Sequence, residues 1–272
     1  MKIQFRSDEL IIFESALFRT TTSLIIGKSY LMLVDPNWLP IELDFITETI
    51  LSVGKGKEKY LLFTHSDYDH IIGYGKFKDY KTIASENFVN NISKNEVLKD
   101  ITKFDDAYYI KRTYVVEYPI IEIVISGEYE KLTIGSDEYS FYQARGHNAD
   151  GLLIHNTTKG ILLAGDYLSN VEFPYIYDSV DNYLATLSKF ERIMNEKQVS
   201  LLISGHGDYT SHKAEMMTRI KKSRAYITQL IESVTLDKAF DVEALLGGYE
   251  FPIIMKEFHL KNLKLAGKEF RT

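Results

Sequence analysis

Short apolar runs open the chain. Leu10 to Phe13, Ser23 to Ile26 and Tyr30 to Val34 are separated by polar or glycine-containing turns, which is the pattern of closely joined strands. After Pro40 the apolar positions Leu43, Ile46, Ile50 and Val53 recur every three or four residues and Gly54 follows, so one amphipathic helix is predicted there. Tyr60 to Phe63 reads as a buried strand and runs straight into Thr64-His65-Ser66-Asp67-Tyr68-Asp69-His70, a polar string expected to be a strand-end loop. From Ser85 to Tyr114 no clean period holds, which predicts a helix followed by an irregular segment that covers a site.

Strand patterns return at Ile123 to Ile125, Leu132 to Ile134, Tyr139 to Ala144, Leu152 to His155 and Ile161 to Ala164. Two helices follow, about Val180 to Met194, with the stripe Tyr183, Leu184, Leu187, Phe190 and Met194, and about Ser211 to Val234, with the strand Val199 to Ile203 between them. Strands followed by helices, twice over, predict two similar layered halves with their sheets packed together and helices outside. No linker, repeat or low-complexity tract divides them, so residues 1–272 are expected to form a single domain, with about 237–272 a helical C-terminal extension.

Composition narrows the class. With 45% hydrophobic and 26% charged residues the chain is an ordinary globular protein, long enough to bury roughly three quarters of its unfolded surface. A net charge of −6 offers no broad basic surface, so nucleic acid is not expected as a partner and a nuclease is disfavoured. There is no cysteine, hence no disulfide, thiolate ligand or thiol nucleophile, and metal ligands must be His, Asp or Glu. No apolar run approaches the ~20 residues of a membrane helix and no secretory signal pattern opens the chain, so a cytoplasmic protein without a membrane partner is expected.

The histidines carry the chemistry. Four of the seven, His65, His70, His147 and His206, directly follow apolar strand-like segments beside glycine or aspartate. Asp69 lies within the first string, and Asp166 follows Ile161-Leu162-Leu163-Ala164-Gly165. By composition alone His-x-Asp-x-Asp-His is expected somewhere in such a chain with a chance of roughly 0.0007. Joined to Gly146-His147, Gly165-Asp166 and Gly205-His206 in that order, it is a strong signal, because side chains at strand ends converge on one sheet edge.

In these motifs, in Leu33-Val34-Asp35 and in the turn Gly146-His147-Asn148-Ala149-Asp150-Gly151, the chain resembles the metallo-β-lactamase superfamily from about Ser23 to Gly207. The resemblance implies an α/β fold, a four-layer αββα sandwich of two mixed β-sheets with outer helices, and a dinuclear metal site. Carried over by position, His65, Asp67 and His147 bind one divalent ion, Asp69, His70 and His206 the other, and Asp166 bridges. Asp67 departs from the pattern, since the family usually has His there; its acidic variants include the diiron flavoproteins. The resemblance implies zinc, while the harder oxygen ligand brings iron or manganese into range. Two divalent ions, three carboxylates and a bridging hydroxide sum to about zero charge.

Water held between two cations is a hydroxide nucleophile near neutral pH, and Asp69 is placed to orient it or shuttle its proton, which makes Asp69 the candidate catalytic residue. The expected activity is therefore metal-dependent hydrolysis of a small ester, lactone, thioester or phosphoester. A diiron redox protein fed by a partner electron donor is the alternative that Asp67 motivates; a metal-binding regulatory module without turnover is another. Asp35 is a candidate to orient a ligand histidine or else a turn residue before Pro36. Trp38, Tyr68, Asn148 and Tyr167 are pocket candidates against plain packing, and His155, His212 and His259 are expected to be structural or solvent-facing, with His212 the one placed to reach substrate.

Overall fold

The structure is a computed structural model that describes residues 1–236 and 238–271. Asp237 and Thr272, the end positions of the expected C-terminal extension, lie outside the described residues. The described strands form two mixed sheets, of seven and five strands. The chain divides into two compact units, Met1–Tyr142 and Gln143–Thr272.

In the first unit, β1 (Lys2–Arg6), β2 (Leu10–Glu14), β3 (Thr21–Ile26) and β4 (Tyr30–Val34) pair antiparallel in sequence order. The helix α1 (Pro40–Val53) then crosses over, and β5 (Glu58–Leu62), β6 (Lys81–Ser85) and β7 (Ile123–Ile125) continue the sheet in parallel. Parallel strands covered by helices bury both faces, which is why β4 and the end of β5 are apolar throughout. α1 buries Leu43, Ile46 and Ile50, the stripe expected from their spacing, against a core that includes Leu31, Leu33, Leu61 and Phe63. Fully burying one such side chain stabilises by about 1.5–3 kcal/mol.

The polar string is not all loop: α2 (Tyr68–Ile71) begins inside it, with Asp67 as its extended N-cap residue. α3 (Glu86–Val89) and α4 (Lys94–Ala107) follow. The irregular stretch after α4 is pinned by Arg112, whose guanidinium bonds Asp105 through two nitrogens at 2.8 Å each and the Trp38 carbonyl at 2.8 Å. A hairpin of β8 (Tyr129–Ile134) and β9 (Asp137–Gln143) is tied to β4 through the Tyr30 hydroxyl, 2.7 Å from Asp137 Oδ2 and 2.5 Å from the Tyr139 hydroxyl. Burial and these neighbours push the Tyr30 pKa far up, so the hydroxyl stays protonated and able to donate.

In the second unit β10 (Leu152–Asn156) pairs antiparallel with β11 (Ile161–Leu163), and β11 pairs parallel with β12 (Leu201–Ile203). The helices are α5 (Val180–Glu196), α6 (Lys213–Thr235), α7 (Val242–Leu246) and α8 (Pro252–Phe270). α5 buries Tyr183, Leu187, Phe190 and Met194 of the expected stripe, and Ser179 caps it by accepting the Asn182 N–H.

Candidate metal centre

Strand register delivers the first group of side chains. Val34 of β4 pairs with Leu62 of β5, so Asp35 and the string from Thr64 leave the sheet side by side at carboxyl ends, the usual place for ligand-binding residues in a parallel sheet. Asp35 turns there with φ 49°, a left-handed conformation that Asp tolerates better than most residues. Its carboxylate accepts the Thr64 N–H at 2.8 Å and the Thr64 hydroxyl at 2.6 Å, and lies 3.1 Å from His70 Nδ1. Asp35, His65 and His70 offer ligand atoms that all lie within 4.8 Å of one another.

These bonds fix both imidazoles. A carboxylate only accepts, so His70 Nδ1 carries the proton and Nε2 carries the lone pair. The single Thr64 hydroxyl hydrogen goes to Asp35, so at 2.9 Å from His65 Nδ1 the hydroxyl accepts and His65 Nδ1 donates. Both histidines thus turn lone-pair nitrogens toward carboxylates: His65 Nε2 lies 3.8 Å from Asp67 Oδ2, and His70 Nε2 lies 3.5 Å from Asp69 Oδ2. With the rings neutral, lone pair faces lone pair and repels, and a proton or a metal cation between the partners reverses the sign.

The second group is delivered the same way. Leu163 pairs with Ile203 in the parallel register, and Asp166 and His206 each stand three residues further on, after glycine. Gly165 O accepts from Gly205 N at 2.6 Å, which keeps the two loops in step. Gly146 (φ 123°) sets His147: a Cβ there would lie 2.4 Å from the backbone of Tyr183 at the start of α5. At Gly207 (φ 86°) a Cβ would meet Asn170 Oδ1 at 2.3 Å, the oxygen that accepts the Asp208 N–H.

Within this unit Asp166 Oδ2 lies 3.4 Å from His147 Nε2 and 3.3 Å from His206 Nε2. His147 Nδ1 donates to the Tyr175 carbonyl at 2.8 Å, so in the neutral ring its Nε2 again has a lone pair to offer. The backbone N–H of His147 donates to the Tyr167 hydroxyl at 2.9 Å, and that hydroxyl passes its own hydrogen to the Arg145 carbonyl at 2.8 Å. Burial pushes the Tyr167 pKa up and keeps the hydroxyl neutral. Glu172 Oε1 stands 4.0 Å from His206 Nδ1. A carboxylate oxygen flanked by two imidazole nitrogens is a donor set for a divalent ion of the zinc, iron or manganese kind, so these residues fit the metal that the motif implies.

Each of the seven expected ligands faces another of them: His65 faces Asp67 and His70 faces Asp69 in the first unit, and His147 and His206 both face Asp166 in the second. The bond expected of Asp35 goes to His70. The pocket candidates prove mostly structural: Trp38 is buried, donates to Thr20 Oγ1 at 2.6 Å and packs on Tyr68 and Phe104, while Tyr167 holds the His147 backbone. Asn148 accepts the Asp150 N–H at 3.3 Å and so shapes the turn. His212 is exposed at the N-cap of α6, His155 is buried with Nε2 3.1 Å from the Gln198 carbonyl, and His259 is buried with Nδ1 3.1 Å from the Tyr226 hydroxyl. Sequence reasoning missed Thr64, Glu172 and the Tyr175 carbonyl. Thr64 adjoins the motif and was the findable one; a backbone carbonyl carries no residue-type signal.

Comparison with known proteins places the fold. The family model described as the metallo-beta-lactamase superfamily matches residues 16–206. Two structures of the sec-alkylsulfatase Pisa1, one of the protein from Pseudomonas sp. and one of a double mutant, superpose with TM-scores of 0.68 and 0.71 at 13% identity, covering 96% and 98% of this chain. This chain spans only about half of theirs, 50% and 49%. The metallo-beta-lactamase family protein TTHA1429 from Thermus thermophilus superposes with a TM-score of 0.64 at 17% identity, covering 95% of this chain and 94% of its own. DIM-1 metallo-beta-lactamase gives 0.55 at 15% identity, over 83% of this chain and 97% of its own. At these identities the likeness shows the fold. No curated protein matches the sequence.

Proposed function

The chain belongs to the metallo-β-lactamase superfamily, and on that footing we propose that it is a metal-dependent hydrolase whose ligands are His65, Asp67, Asp69, His70, His147, Asp166 and His206. The observation that carries this reading is Asp166: its Oδ2 is 3.4 Å and 3.3 Å from two imidazole Nε2 atoms, and the proton of one of those rings is committed elsewhere, to the Tyr175 carbonyl. When bound, divalent ions would lower the pKa of water and polarise a substrate oxygen, chemistry suited to a small ester, lactone, thioester or phosphoester.

The chain's own residues supply the rest. Asp35 and Thr64 hold His70 and His65 in the tautomer that leaves Nε2 available, and Tyr175 does so for His147. Asp69 is the group to take and return the proton of the attacking water. With zinc, manganese or iron supplied, hydrolysis of a panel of generic esters, lactones, thioesters and phosphoesters tests the reading. A secondary alkyl sulfate joins the panel, the class that the name of Pisa1 gives for that protein. Loss of any detected activity in Asp166→Ala supports the assignment; full activity in that variant removes it.

Asp67 favours one other reading, a diiron redox protein that takes electrons from a partner. A hard carboxylate in that position suits iron. Its mark would be iron copurifying with the chain and a visible spectrum that changes on chemical reduction, without hydrolysis of the panel.

A further inference from the structure

We propose that Asn262 of α8 is a positioning residue for His147, and that the C-terminal helix is in this way part of the support of the metal centre. The inference rests on the reading of His147 as a ligand. It extends the working site to a segment that the family match, ending at residue 206, does not reach.

One short strap connects Asn262 to His147. Between β11 and α5 the chain from Tyr167 to Ser179 forms no helix or strand, yet its middle is buried: Phe173, Tyr175 and Ile176 are 3%, 7% and 3% exposed. This strap grips His147 twice. The Tyr175 carbonyl accepts from His147 Nδ1 at 2.8 Å, and the Tyr177 N–H donates to the His147 carbonyl at 2.6 Å. The orientation of the imidazole therefore depends on where the Tyr175 carbonyl stands.

That carbonyl is held from both sides by a single side chain. Asn262 Nδ2 donates to the Pro174 carbonyl at 2.6 Å, and Asn262 Oδ1 accepts the Ile176 N–H at 2.9 Å. The second Nδ2 hydrogen goes to the Tyr226 hydroxyl of α6 at 2.9 Å, so the amide uses both donors and its acceptor. Four residues earlier on α8, one helical turn, Phe258 stacks on the Tyr175 ring with centroids 3.8 Å apart and planes 8° from parallel. A primary amide is suited to this task because it offers a donor and an acceptor in one plane, as a neighbouring strand would. A carboxylate would lack the donor and an aliphatic side chain would lack both. Asn262 is fully buried, so losing any of these partners leaves a polar group unsatisfied.

The test measures metal affinity on folded protein by competition with a chromophoric chelator, using zinc and cobalt(II), for the whole chain and for Asn262→Ala. The proposal predicts about tenfold weaker binding, the lower end of what is lost when a group behind a ligand is removed, and an altered cobalt(II) absorption spectrum. Glu269→Ala is the control: it removes another α8 tether, the carboxylate that accepts the Val180 N–H at 3.0 Å, without touching the strap. Its expected effect is lower thermal stability with affinity and spectrum unchanged. If Asn262→Ala does not fold, Asn262→Asp is read instead, since it keeps the shape and the acceptor but loses both donors. Nitrogen-15 NMR of the imidazoles in the unaltered protein gives an independent readout, and a His147 ring that carries no proton on Nδ1, the nitrogen facing the Tyr175 carbonyl, overturns the proposal. So does equal affinity in the Asn262 variant, or an equal loss in both variants. Failure of the unaltered chain to bind either metal is a different result, which removes the ligand assignment itself.

Discussion

Asp35→Asn isolates the role of the buried carboxylate behind the motif. Asparagine keeps the size of the side chain and tolerates the left-handed φ of 49°, so the backbone turn survives. One oxygen can still accept the Thr64 N–H. The other becomes an NH2 that faces two donors, His70 Nδ1–H at 3.1 Å and the Thr64 hydroxyl at 2.6 Å. Relief comes only by reversing the chain of bonds: the amide donates to Thr64, Thr64 donates to His65 Nδ1, and the His65 proton moves to Nε2, the nitrogen needed by a metal. Losing the charge-assisted bond to His70 costs about 1.5–3 kcal/mol. Losing the orientation of a metal-binding histidine weakens affinity about 10–100-fold, or about 1.4–2.7 kcal/mol, and the two figures agree. Chelator competition on Asp35→Asn should show a loss in that range with the secondary-structure spectrum unchanged. Affinity within twofold of the unaltered protein would refute the tautomer argument.

Other expectations follow from single positions. Gly146→Ala places a Cβ at 2.4 Å from the Tyr183 backbone at φ 123°, and should cost at least about 3 kcal/mol in urea unfolding of the metal-free protein; a loss below about 1 would mean the turn relaxes freely. Burial pushes the His155 pKa below its ordinary 6.5, so the unfolded chain binds that proton more readily. Stability from this group is present above pH 6.5 and is lost as pH falls toward the depressed value, and His155→Gln should flatten the fall of the urea midpoint between pH 7.5 and 5.5; an unchanged slope contradicts this. Asp67→His should raise zinc retention relative to manganese and iron when the metals compete at equal concentration, and an unchanged order would remove Asp67 from the ligand set.

Much of the architecture was readable where burial and period coincide. β4 at Tyr30–Val34, β7 at Ile123–Ile125 and the buried face of α1 stand where their apolar spacing puts them. β6 escaped, because Lys81-Thr82-Ile83-Ala84-Ser85 has one large apolar residue and owes its extended form to parallel partners on both sides. β1 escaped too, although Lys2-Ile3-Gln4-Phe5-Arg6 alternates, since five residues at a sheet edge, three half-buried and two exposed, carry little weight on their own. The candidate ligands were legible because His and Asp at strand ends beside glycine are rare by chance. What holds them was legible only at Asp35, expected to orient a histidine though not which one; the partner of His147 is a main-chain carbonyl 28 residues away, fixed by an asparagine near the end of the chain. Such partners are set by packing, which local sequence does not encode.

The most direct test of the account is elemental mass spectrometry of the purified protein, prepared without added metal and normalised to chain concentration. The account predicts about two ions of zinc, manganese or iron per chain, falling with Asp166→Ala. A chain that carries no transition metal, and acquires none from a solution of all three, would contradict it.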